Sequence, residues 1–151
     1  VDPFLINPQR MYTQAGIAYR SKLRFDISKL PEGAIINSAE LLLERDSALT
    51  NVSRFTSSPQ PSVHALTADD STLFEGISAT GAVKSGTRHT FSFDVRRQVQ
   101  LWENGANFGL ILRQPNTNEN ATLDLFAFYS REAANAAQRP RIIVKYTVFQ
   151  N

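Results

Sequence analysis

The chain has 151 residues, of which 42% are hydrophobic and 10% aromatic, enough to close one core without cross-links. Lys and Arg total 16 against 14 Asp and Glu, and acids share the same segments as bases, which argues against a nucleic-acid binder with its basic patch. Cysteine is absent, excluding disulfides, zinc thiolates and cysteine nucleophiles, and no stretch nears the ~20 apolar residues of a membrane span.

In chain order, the opening residues carry no basic-then-apolar signal peptide, and a first residue of Val rather than Met reads as an excised piece of something longer. Residues 1–151 are expected to form one domain, a module of that longer protein. Alternation of period two begins at Lys22–Ile27, where Leu23, Phe25 and Ile27 face one way and Lys22, Arg24 and Asp26 the other, predicting a half-buried strand. Leu30-Pro31-Glu32-Gly33 has the chemistry of a tight turn. A second strand, Ile35–Glu44, follows with Ile35, Ala39, Leu41 and Leu43 on one face, and the two strands are expected as neighbours in one antiparallel sheet.

From Asp46 to Gly86 the pattern weakens into Ser, Thr, Pro, Asp and Gly, with one strand at Ser62–Leu66. Strands return at His89–Val95, Phe108–Arg113, Thr122–Tyr129 and Arg141–Val148. Roughly seven to nine strands and one helix predict an all-β fold, a two-sheet antiparallel β-sandwich of jelly-roll-like form. Leu23, Phe25, Leu41, Leu43, Phe93, Leu110, Leu112, Ile143 and Val144 are expected in its core, although adjacent Ile143 and Val144 cannot both face inward from a regular strand.

The single helix is expected in FDVRRQVQLWENG, starting at Val95 with Asp94 accepting its first amide hydrogens and Gly105 ending it in a left-handed conformation. Val95, Val99 and Trp102 fall at i, i+4 and i+7, while Arg96, Arg97, Gln100 and Glu103 lie towards solvent. The only tryptophan therefore reads as an anchor in the core rather than a platform for a sugar or a base.

Three blocks stand in order: RSKLRFDISKLPEGAIINSAELLL at 20–43, FDVRRQVQLWENGANFGLILR at 93–113 and FYSREAANAAQRPRIIVKYT at 128–147. Together they cover about 65 residues and resemble the DNRLRE-type domain, a family of secreted bacterial modules that includes carbohydrate-binding modules beside alginate-degrading enzymes. The resemblance implies a jelly-roll-like sandwich that is extracellular or cell-surface, non-catalytic and one module of a larger protein. The strand that names the family is not recognisable in VDPFLINPQRMYTQAGIAY, and the middle region lacks the family's usual tryptophan.

Catalysis needs a constellation, and the sequence offers none, so neither an enzyme nor a cofactor is expected. His64 and His89 sit in expected strands without metal-like spacing, where a hydrogen-bonded histidine is the commoner role. Asp69-Asp70 reads as a turn former more than as part of a calcium loop. Gln114–Asn120 offers oxygens for a structural calcium ion, or is a solvated hairpin loop. Asn51-Val52-Ser53 and Asn120-Ala121-Thr122 fit the N-glycosylation pattern and mark surface loops.

The remaining signal is arginine with tyrosine: Arg10, Tyr12, Tyr19 and Arg20 near the start, Tyr129, Arg131, Arg139 and Arg141 near the end, where sandwich termini commonly approach. Arginine forks hold carboxylates bidentately and tyrosine rings stack on sugars, so this set would suit an acidic polysaccharide; ordinary ion pairs with Asp and Glu are its plainer use. Two functions follow as expectations: a glycan-binding module for acidic polysaccharide, or a structural module whose partners are neighbouring domains or subunits.

Overall fold

The computed structural model describes residues 9–14, 21–47, 61–67, 74–113 and 125–148, with side chains except at 12–14, 74–77 and 125. The fold is all-β and sandwich-like, built from antiparallel sheets with one short α-helix among the described residues. Its elements are β1 (Arg10–Gln14), β2 (Ser21–Leu23), β3 (Ile35–Glu44), β4 (Ser62–Leu66), β5 (Phe74–Thr80), β6 (Ala82–Val83), β7 (Thr90–Asp94), α1 (Arg96–Asn104), β8 (Leu110–Arg113), β9 (Leu125–Tyr129) and β10 (Arg141–Thr147). One sheet runs β2-β8-β4-β5, the other β10-β3-β7-β6, and β1-β9 forms a two-stranded ribbon. A bridge between Arg45 and Phe128 ties that ribbon to the end of β3.

One core joins both sheets, the ribbon and the helix. Leu23, Val63, Leu110 and Leu112 meet Ile36, Leu41, Leu43, Phe91 and Phe93 across it, with Phe126 and Phe128 from β9. Phe91 sets its ring edge-to-face against both Phe126 (5.7 Å) and Phe128 (5.4 Å), the geometry that aromatic quadrupoles favour.

Several elements differ from expectation. β2 and β3 are not neighbours: they lie in opposite sheets, paired with β8 and with β10 and β7 respectively. Alternation shows that a strand buries one face, but facing sheets bury their inner faces alike, so it cannot assign sheet membership. The turn between them, with Leu30 N–H bonded to the Ile27 carbonyl, Ala34 N–H to the Pro31 carbonyl and Gly33 at φ 76°, carries the chain across the sandwich instead of closing a hairpin. β2 also stops at Leu23, because Asn107 Nδ2 takes the Phe25 carbonyl (2.6 Å) and the Asp26 carboxylate takes the Ser28 amide (2.8 Å). Phe25 and Ile27 still pack against the core from this irregular stretch.

Ile36 rather than Ile35 faces inward, Ile35 being 40% exposed. The register against β10 jumps from Ser38 to Ile36, so Asn37 is an extra residue and everything before it changes face. The helix secures this bulge: Gln100 Oε1 accepts from the Ile36 amide (3.0 Å) and Arg96 Nε donates to its carbonyl (2.9 Å). Ile143 is 46% exposed and Val144 is the inward one of that pair. Gly105 does not adopt the left-handed conformation; its φ of −159° is extended. β1, β5 and β6 were not expected. β5 places Ala79 inward between exposed Ser78 and Thr80, and such small residues leave little hydrophobic period to read.

Trp102 is buried with Val95 and Val99, and Asp94 Oδ1 accepts from the Arg96 amide at 3.2 Å. Gln98, a polar residue outside the apolar stripe, is buried as well. No helix among the described residues is long and apolar enough to cross a membrane.

Candidate functional site

A cleft of about 630 Å³ opens where the ribbon meets β2 and the segments after β2 and β9. Arg10, Lys22, Arg24 and Arg131 place four cations in its walls against two carboxylates, Asp26 and Glu132. Met11, Phe25 and Pro140 supply apolar wall between them. The local fold explains the charges: with Leu23 drawn into the core, its neighbours Lys22 and Arg24 turn to solvent.

Arg10 is already engaged. Its Nε donates to Asp46 Oδ2 at 2.9 Å, its Nη1 to the Gln9 carbonyl at 3.1 Å, and its guanidinium lies 4.0 Å from the centre of the Tyr129 ring, the residue opposite it in the β1–β9 register. At 16% side-chain exposure and paired with Asp46 behind it, at 12%, Arg10 is a fixed part of the wall. Arg131 is its opposite: 91% exposed and 3.3 Å from Glu132 Oε1, it is held only by a solvated ion pair. Asp26 is kept ionised below the usual carboxylate range by hydrogen bonds from the Ser28 side chain and amide, so it also serves as a turn former.

The expected ligand set divides in the structure. Arg10 meets Tyr129, and Arg10 and Arg131 both line the cleft, while Arg139 is not among the lining residues and has its Nε tied to the Ala133 carbonyl (2.8 Å). Arg141 lies elsewhere, on the outer face of β10, where its charge acts on Glu40. Tyr12 sits in β1, but its side chain is outside the described residues, as are Tyr19, Arg20, Asp69-Asp70, Asn51-Val52-Ser53, Gln114–Asn120 and Asn120-Ala121-Thr122. Lys22 and Arg24, which line the cleft, are absent from the expected set although the alternation puts both on the polar face; what the sequence lacks is the position of β1 and β9 beside them.

On the outer face of the other sheet, Glu40 gathers the Ser92 hydroxyl (2.7 Å) and Lys84 Nζ (3.0 Å). Those two hydrogen bonds, the Ser92 one foremost, hold its carboxyl below the usual range. His89 Nδ1 lies 3.2 Å from Arg45 Nη2 and so acts as an acceptor, and His64 also has a partner. Among the described residues no group of three or more His, Cys, Asp or Glu converges as a metal site. Compared with known proteins, the chain matches no protein-family model and no curated protein.

Proposed function

We propose that this domain is a non-catalytic, extracellular binding module for acidic polysaccharide, with the cleft beside β2 as its site. The observation that carries the proposal is the wall of Arg10, Lys22, Arg24 and Arg131 in an open groove whose apolar stretches include Phe25. A fixed and a solvent-exposed cation together suit a polymer of carboxylated sugars: Arg10 is preorganised, while Arg131 has room to turn its fork to a carboxylate. The two wall carboxylates disfavour dense polyanions and leave room for hydrogen bonds from sugar hydroxyls. The three sequence blocks that resemble DNRLRE-type modules support the secreted, accessory part of the proposal.

Calorimetric titration of the 151-residue chain with an oligouronate tests it. Binding is expected to weaken as salt rises from about 50 to about 200 mM, because these exposed charges are screened. Lys22→Ala and Arg131→Ala, both at exposed positions, should each weaken it by about fivefold, and a neutral glucan should bind less tightly. Equal affinity for the neutral glucan, or indifference to both substitutions, would remove the cleft as the site.

A further inference from the structure

β10 borders its sheet: it pairs with β3 on one side, and no strand among the described residues pairs with the other. Among the described residues the sheet ends at β10, while β1 pairs with β9 in the ribbon, so no described strand takes the place beside β10.

The chemistry along that border has two faces. Inward, Ile142, Val144 and Tyr146 combine with Phe25, Ile27 and Leu30 to wall a groove of about 290 Å³, with the exposed Asp26 and Lys29 on its far wall. Outward stand Arg141, Ile143 and Lys145, and the stretch 141–148 contains no acid. Ile35, Ile143, Tyr146 and Val148, four of the large apolar side chains exposed among the described residues, lie on or directly beside this border, Ile35 being opposite Thr147. Charge decides between occupants. A second copy pairing antiparallel through β10 would bring two more cations onto the outer face with no carboxylate from either β10 strand, an unfavourable cross-strand arrangement.

We propose that the free edge of β10 accepts an extended segment of a partner protein as a fifth strand of this sheet. Its alternate apolar residues fill the groove at Ile142, Val144 and Tyr146, and its intervening Asp or Glu residues meet Arg141 and Lys145. Main-chain hydrogen bonds supply the attachment, and the apolar–acidic alternation supplies the choice of partner.

The probe is a fluorescent peptide of about eight residues alternating valine and glutamate, titrated against the full chain, with amide hydrogen exchange followed in β10. The expected result is saturable binding, with exchange of the β10 amides that point away from β3 slowed about tenfold on a monomeric protein. Lys145→Glu, at an exposed position, should weaken this peptide about fivefold and strengthen a valine–lysine peptide, while Lys22→Ala in the cleft leaves both unchanged. Four results would overturn the proposal: no binding; equal binding of a serine–glutamate peptide; β10 amides that point away from β3 already protected in the peptide-free monomer; or protection that appears only as the chain self-associates.

Discussion

At Trp102 the whole indole is enclosed, yet its Nε1 has no hydrogen-bond partner among the described residues. Its contribution is thus packing. Trp102→Ala should lower stability by about 3–5 kcal/mol in chemical denaturation, and Trp102→Phe should cost much less, since no hydrogen bond is lost. Asn107 is the polar counterpart, with Nδ2 donating to the Phe25 carbonyl and Oδ1 accepting from the Gly109 amide at 2.9 Å. Asn107→Ala strands both backbone groups and is expected to cost about 1–3 kcal/mol. Gly109→Ala should be worse than a simple loop change: φ is 90°, and an added Cβ would run into the Leu23 carbonyl. Glu40 has a different signature. Its carboxyl is held below the ordinary value of 4.5, so its contribution is present above that value and is lost as pH falls through the lower folded value. Between pH 6 and pH 3, melting temperature should therefore fall less in Glu40→Gln than in the parent chain.

At the scale of elements, legibility followed the size of the side chains. β7 announces itself in the large alternating pair Phe91 and Phe93, and both are buried. β6 offers only exposed Ala82 and Val83, and the inward residue described in β5 is the small Ala79, so neither announces itself by its period. The bulge at Asn37 was invisible for another reason: it depends on α1, whose Arg96 and Gln100 take the carbonyl and amide of Ile36. Helix and bulge should accordingly fail together. Gln100→Ala is expected to raise hydrogen-exchange rates at Ile36 and its neighbours before it affects β8 on the opposite sheet, and equal acceleration throughout would show that the helix does not secure the bulge.

For the whole molecule, the sandwich was legible because burial of one face per strand is a local property. The cleft was not, because its walls come from β2, the ribbon and the segments that follow them, which meet only through sheet pairing. Proximity of Arg10 and Tyr129 was anticipated from the closeness of sandwich termini; their engagement with Asp46 and with each other was not. The cleft and the groove along β10 adjoin, with Phe25 and Asp26 in the walls of both, whereas Arg141 stands on the outer face of β10. A nuclear magnetic resonance titration of the isotope-labelled chain with an oligouronate discriminates most sharply. Shift changes should concentrate at Met11, Lys22, Arg24, Phe25 and Arg131 and diminish with added salt. Saturable binding whose shifts avoid these residues, or no binding at low salt, would contradict the cleft as a site for acidic polysaccharide.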